Sequence, residues 1–356
     1  MSVSVALNHI TKAFDTTYAV NDVSLTIDAG ELFFLLGPSG CGKSTLLRVI
    51  AGFYRPDAGQ LMFDDLDMIN VPPHQRNTGM VFQNYALWPH MTVSENIEYG
   101  LQLRKLEKPI RNERIDTVLE MVEMSEFRDR PVNTLSGGQQ QRIALARAMV
   151  IEPSVLLLDE PLSNLDAALR QNLRDEIKEI HRRTKITTIY VTHDQVEAIS
   201  MADRMAIMKD GVFIQVGTPR EIYQHPADPF VASFVGETNF ISGNIKEISD
   251  AKATIETEVG ILHAESIHHN LTLGQEVSCS IRPETIHING NSSLNQLTAT
   301  VGSITYLGRT EEYELRIADT LKLKAIIHNP GTDTVKQGES ISISMSPESV
   351  VPLPIN

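Results

Sequence analysis

The chain has 356 residues, with 45 acidic against 31 basic side chains and a formal net charge of −14. At roughly 100–200 residues per domain, two or three domains are expected. No run approaches the about 18 consecutive apolar residues of a membrane span. The opening stretch MSVSVALNHITKAF lacks the basic start and apolar core of a signal peptide. The two cysteines, Cys41 and Cys279, have no metal-ligand spacing and cannot staple a chain of this size, so a reducing compartment is expected. The acidic balance disfavours nucleic acid, which needs a basic footprint.

Taken in chain order, the first two thirds alternate short apolar runs with amphipathic helical patterns, which predicts an α/β domain. Leu32–Leu36 is an apolar strand that runs into Gly37-Pro38-Ser39-Gly40-Cys41-Gly42-Lys43-Ser44-Thr45, with a helix expected over Thr45–Ala51. This is G-x-x-x-x-G-K-[ST] in its proper strand–loop–helix setting. Glycines let the backbone wrap phosphate oxygens, and successive N–H groups and the helix N-terminus point at negative charge. Lys43 is expected to reach the β- and γ-phosphates, and the Ser44 hydroxyl to ligate Mg²⁺. Cys41 reads as a small packed residue rather than a redox switch.

Leu135-Ser136-Gly137-Gly138-Gln139 precedes a predicted helix, Gln140–Val150. Ser136 and Gly137 resemble an N-terminal cap, and the two glycines allow close approach to a second phosphate contact. Two phosphate elements in one chain need not serve one nucleotide within one subunit. A two-fold head-to-tail pair would set the Ser136 element of one copy over the Lys43 site of the other.

Val155–Leu158 is all apolar, as suits a central parallel strand, and ends in Asp159-Glu160 at the edge where open α/β sheets bind ligands. Asp159 can hold Mg²⁺ through water, and Glu160 is placed to polarise an attacking water. Thr187–Thr192 is a third apolar strand, ending at His193, which could contact the γ-phosphate or orient the water. Between these two strands the helix Leu169–Arg183 carries Leu169, Leu173, Ile177 and Ile180 on one face, a structural pattern.

Beyond a junction placed near Gly236-Glu237-Thr238-Asn239, the pattern changes to short strands with period-two alternation: Val277/Cys279/Ile281, Leu321/Leu323/Ala325/Ile327 and Ile341/Ile343/Met345. A small all-β domain over residues 236–356 is expected, after an α/β domain over 1–235. Its histidines His263, His268, His269, His287 and His328 have no ligand spacing and read as dispersed surface polarity.

With these motifs in this order, the sequence resembles the ATP-binding-cassette ATPases over essentially its whole length. Tyr18 takes the position of the aromatic that stacks on adenine, and Gly37–Thr45 that of the Walker A loop. Gln83 takes that of the glutamine linking nucleotide and metal to a helical subdomain, here about residues 84–152. Leu135–Gln139 match the signature, Asp159 and Glu160 the Walker B aspartate and catalytic glutamate, Ser163-Asn164-Leu165-Asp166 the D-loop, and His193 the switch histidine. On its own Tyr18 reads as an ordinary core or surface aromatic, and Asp166 also reads as a helix cap.

The resemblance implies a P-loop ATPase using ATP and Mg²⁺. Glu160, His193 and Lys43 would be catalytic, and Ser44, Gln83 and Asp159 would lie around the metal. Residues Gly211–Phe240 and the β-rich tail resemble solute importers with a C-terminal OB-type domain. The stretch Tyr85–Val93 is similar to polyamine, ferric-iron, phosphonate and sugar import ATPases. These features imply a homodimer at the cytoplasmic face of the membrane. Separate permease subunits would contact it near Gln83 to Val93, and an extracytoplasmic binding protein would act indirectly. Trp88 reads either as an exposed anchor for that contact or as a packed residue of the helical subdomain. A soluble cassette ATPase is the competing class; the signature argues against a small-molecule kinase.

Overall fold

The computed structural model describes residues 2–265, 267, 271–289, 294–318, 321–331 and 335–355. Two compact units emerge from its contacts, Met1–Arg220 and Glu221–Asn356.

In the first unit the all-apolar runs become the buried middle of a six-stranded sheet. Its order is Val212–Gly217, Arg204–Lys209, Leu32–Leu36, Thr187–Thr192, Val155–Asp159, Thr78–Val81. Neighbours are parallel except for the outermost hairpin, in which Lys209 pairs with Val212. Every residue of Leu32–Leu36, Val155–Asp159 and Thr187–Thr192 is buried, as expected for strands covered on both faces.

Leu46, Leu47 and Ile50 of the helix Lys43–Ala51 pack with Phe33, Leu35, Leu157 and Ile189 in one core. A second sheet, four-stranded and antiparallel, contributes Val5, Leu7, Ile10, Leu61 and Phe63 to it. On the other face of the large sheet Phe34 stacks on Tyr190, with centroids 4.3 Å apart.

The four parallel strands Leu32–Leu36, Thr187–Thr192, Val155–Asp159 and Thr78–Val81 stand side by side. Their C-terminal ends are in register: Leu36 pairs with Thr192, Asp159 with Val191, and Val81 with Leu158. Four expected functional segments therefore leave the sheet at one edge.

The predicted helices form, with earlier starts: Lys43–Ala51, Gly137–Met149 and Ala167–Thr184. In the last, Leu173, Ile177 and Ile180 are buried as expected, while Leu169 is half-buried. Helices Val93–Leu103 and Lys108–Met121 complete the helical insertion. Among the described residues no helix is long and apolar enough to cross a membrane.

The second unit has two five-stranded antiparallel sheets around one core that includes Ile241, Val277, Cys279, Leu315, Leu323 and Ile343. Its contacts begin before the junction expected near Gly236, because the short helix Pro229–Val235 is tied to the β strands. The Arg282 guanidinium donates to the carbonyls of Ala232 (2.8 Å), Gly236 (3.0 Å), Glu237 (3.1 Å) and Tyr223 (3.1 Å). It also lies 4.1 Å from the Tyr223 ring centroid.

Candidate active site

The loop Gly37–Gly42 leaves the strand Leu32–Leu36 under tight steric control. A Cβ on Gly37 would fall 2.3 Å from the Met208 carbonyl oxygen. Gly42 has φ +106°, and a Cβ there would fall 1.9 Å from the Ala19 carbonyl oxygen. Only glycine fits at either position. The same approach sets the loop against the strand carrying Tyr18, which is 58% exposed and open to a stacking partner. Pro38, Ser39, Gly40 and Cys41 complete the loop, and Lys43, Ser44 and Thr45 form the first turn of the following helix.

Lys43 is buried, and its Nζ donates to the carbonyls of Gly37 (2.7 Å) and Pro38 (2.9 Å). The ammonium is thus held inside the loop rather than extended to solvent. Cys41 is buried beside it, and burial pushes its thiol above the usual range against the opposing pull of Lys43. It is a packed residue, as expected.

The Ser44 hydroxyl donates to Asp159 Oδ1 at 2.8 Å, across 115 residues of sequence. Asp159 is buried, and burial raises its carboxyl above the usual aspartate range; the Ser44 hydrogen bond and the charges of Arg48 and Lys43 pull it back. A buried carboxylate and a hydroxyl in contact form a hard-oxygen pair suited to Mg²⁺.

One residue on, Glu160 adopts φ +45°, a left-handed conformation that costs a non-glycine residue of order 1 kcal/mol. The surroundings enforce it. Its N–H donates to Val191 O (3.0 Å), and its carbonyl accepts from the Ser163 hydroxyl (3.0 Å) and N–H (3.3 Å). The twist aims the carboxylate at two other strand ends. Gln83 Nε2 donates to Glu160 Oε2 at 3.2 Å, and His193 Nδ1 lies 3.3 Å from the same oxygen. The amide donor of Gln83 being used there, its oxygen is the end available to a cation. A cavity of about 60 Å³ lined by Glu160, Ser163, His193 and Asp194 opens beside them, where about 10–15 Å³ is enough to admit a water.

The structure therefore brings Lys43, Ser44, Gln83, Asp159, Glu160 and His193 to one edge. It does not bring the signature there. Among the described residues no hydrogen bond links Ser136–Gln139 to the loop Gly37–Thr45. Ser136 instead caps the helix Gly137–Met149 in a capping box, accepting from Gln139 N–H while Gln139 Oε1 accepts from Ser136 N–H. Gly137 and Gly138 pack under Leu165 and Leu169 of the D-loop and its helix. Asp166 caps that helix, accepting from Leu169 N–H at 3.0 Å.

Motif matching named Ser163 and Asn164 without a task. Ser163 fixes the Glu160 backbone, and Asn164 Nδ2 donates to Gln83 O at 2.8 Å. Asn96 and Arg147 were missed. Arg147 contacts backbone carbonyls 61 and 62 residues away, and Asn96 holds the Trp88 backbone eight residues before it, neither of which a sequence motif announces. Trp88 falls between its two expected readings: it is half-buried, 4.5 Å from the Tyr99 ring, with Arg147 over its own ring. Of the histidines in the β-rich part, His268 and His269 lie outside the described residues. Among the described residues, no three His, Cys, Asp or Glu side chains group as metal ligands.

Comparison with known proteins gives this geometry a family. The ABC transporter family matches residues 20–163, and the TOBE domain matches residues 279–353. The Fe(3+) ions import ATP-binding protein FbpC of Fusobacterium nucleatum is 41% identical over 98% of this chain and 93% of its own. The spermidine/putrescine import ATP-binding protein PotA of the same organism is 44% identical over 89% and 86%. Among solved structures, the dimeric post-hydrolysis state of the ATP-binding cassette MJ0796 bound to ADP and Pi superposes with a TM-score of 0.55. It is 32% identical and covers 61% of this chain and 99% of that one. With relatives of this identity along nearly its whole length, the chain belongs to the ABC transporter family, as an ATP-hydrolysing importer subunit with a C-terminal OB-type domain.

Proposed function

We propose that this chain works as a homodimer at the cytoplasmic face of the membrane, driving uptake of a small solute through separate permease subunits. The observation that carries the reading is the convergence of Gln83 and His193 on the Glu160 carboxylate beside the Ser44–Asp159 pair. Ser44, Asp159 and Gln83 would hold Mg²⁺, which neutralises phosphate charge when bound. Lys43 and the loop N–H groups bind the β- and γ-phosphates, and Tyr18 stacks on the adenine. Glu160 accepts a hydrogen bond from the attacking water and takes up its proton, while the water oxygen bonds to the γ-phosphorus and the bond from that phosphorus to the bridging oxygen of ADP breaks. His193 holds Glu160 and the γ-phosphate in register.

The signature does not reach this loop within one chain. A second copy, head to tail, supplies Ser136, Gly137, Gly138 and Gln139, with Asp166 at the same junction. ATP then favours the closed dimer because only that state touches its γ-phosphate from both sides. Loss of the γ-phosphate removes that preference. Gln83 and the helical subdomain carry the movement to the permease, which contacts the surface from Gln83 to Val93. The relatives' names favour ferric iron or a polyamine as the solute, delivered by an extracytoplasmic binding protein; phosphonate and sugar are the other candidates.

The test uses Glu160→Gln. Light scattering should show the 39.6 kDa chain doubling in mass with Mg²⁺ and ATP, and reverting when Ser136→Arg is added. A chain that binds ATP and stays monomeric in the first variant would sink the head-to-tail site. For the solute, the full chain purified with its permease should show ATP turnover stimulated by one loaded binding protein encoded nearby.

A further inference from the structure

The helix that begins at the signature carries a second device near its far end. Arg147 turns its guanidinium onto the segment after Gln83. Nη1 donates to Ala86 O at 2.6 Å and Nη2 to Tyr85 O at 2.8 Å. The same group lies 5.1 Å from the Trp88 ring centroid, a cation–π distance. The carbonyls it holds belong to a strained turn. Tyr85 has φ 61° and Ala86 φ 48°, two consecutive non-glycine residues in the left-handed region. The Tyr85 side chain is buried, and among the described residues its hydroxyl has no hydrogen-bond partner. Such a conformation persists only where its surroundings over-determine it, and a planar fork meeting two carbonyls provides that constraint.

The other side of the segment is fixed by the helix Val93–Leu103. Asn96, fully buried, accepts from Trp88 N–H (2.9 Å) and donates to Trp88 O (3.2 Å), and Tyr99 covers the indole. Trp88 is therefore clamped between two helices. One of these, Gly137–Met149, starts at the capped Ser136 and spans about 20 Å at 1.5 Å per residue. A helix of this length moves as a rod.

We infer that Arg147 is a positioning residue that locks the left-handed Tyr85–Ala86 turn to the signature helix, so that nucleotide contact at Ser136 displaces Trp88 and the surface around it. This rests on the proposed reading of the signature as a nucleotide contact and of Gln83–Val93 as the permease surface. It adds the physical link between them, made by a residue that touches neither nucleotide nor reacting atoms.

Trp88 is the sole tryptophan, so its emission reports the clamp in the full-length chain. In the Glu160→Gln background, Mg²⁺ and ATP should produce a saturable change in Trp88 emission as the mass doubles. Adding Arg147→Met should abolish the emission change while leaving the ATP concentration for half-maximal dimerisation within about threefold. Arg147→Lys, which keeps the charge but reaches one carbonyl at most, should retain a reduced change.

Should the Met variant not fold, the parent chain and the Lys variant still decide the matter. A doubled mass with silent Trp88 emission overturns the lock and leaves the ATPase reading intact. An undiminished emission change in Arg147→Met or Arg147→Lys also overturns it. Failure of the chain to bind ATP or to dimerise defeats the underlying reading first, and the lock with it.

Discussion

The two units of this chain use their strands in opposite ways. In the first, short buried strands run parallel, so neighbouring strands end at the same edge, and each delivers one polar residue there: the loop to Lys43, His193, Glu160 and Gln83. In the second, strands are antiparallel and successive ends point in opposite directions, and among the described residues no three His, Cys, Asp or Glu side chains group as metal ligands. Parallel order concentrates chemistry, whereas antiparallel order distributes strand ends over both edges, and here the buried guanidinium of Arg282 serves structure. The comparison predicts that substitutions in the first unit change rate, and that those in the second change stability.

The largest test of that division is Glu160→Gln. ATP turnover, followed by phosphate release, should fall about 10²- to 10⁴-fold, with ATP binding and thermal unfolding of the chain little changed. Turnover near the wild-type rate would break the assignment of chemistry to this edge.

Next in size is Arg282→Ala. It leaves four carbonyl contacts unmade in a buried setting and should cost the second unit roughly 2–3 kcal/mol. Denaturant unfolding should show an earlier transition for residues 221–356, while ATP turnover at temperatures below that transition stays at the wild-type level. A parallel loss of turnover would show that the division between the units is not functional.

Asp166 sharpens the comparison on a smaller scale, because it caps a helix and lies at the proposed dimer junction. Asp166→Ala should cost about 1 kcal/mol through the lost cap, and Asp166→Asn almost nothing. If the two variants lose turnover equally, the carboxylate acts beyond its capping bond.

The last test concerns pH. Burial raises the Asp159 carboxyl, so the folded chain holds that proton to higher pH than the unfolded chain. Its contribution to stability is therefore greatest at low pH and declines as pH rises from the unfolded value through the folded one. Mg²⁺ needs the carboxylate, so Mg²⁺-dependent ATP affinity should weaken as pH falls through the raised value, by at most about tenfold per pH unit. Asp159→Asn should remove that dependence, and an unchanged pH profile in this variant would assign it to another group.

Much of the active edge was legible in the sequence because phosphate and metal chemistry demand particular residue types at short spacings. Gly37, Gly42, Lys43 and Ser44 must fall at fixed spacing within one loop and the helix start that follows it, and Asp159 and Glu160 must end an apolar strand. What was hidden is longer in range. No local pattern shows that Ser163 holds Glu160 in a left-handed conformation, or that Arg147 reaches back across 61 residues to Ala86. The junction illustrates the same limit. Composition changes near Gly236, but a buried guanidinium ties the residues before it to the strands after it, so contacts divide the chain at Arg220. In the β-rich unit, alternation revealed the strands Glu276–Ile281, Leu321–His328 and Ser340–Ser344, while sheet order depended on pairings distant in sequence.

The two thiols have a practical consequence. Cys41 and Cys279 are both buried, and burial pushes the Cys279 thiol up to about 12 and raises that of Cys41. Since the thiolate is the form that attacks an electrophile, maleimide reagents near neutral pH will find a nearly silent native background. Cysteines introduced at the exposed positions Asn172 and Glu247, one in each unit, would then take up a fluorophore pair without removing either native cysteine. Their energy transfer would follow the separation of the two units through a catalytic cycle.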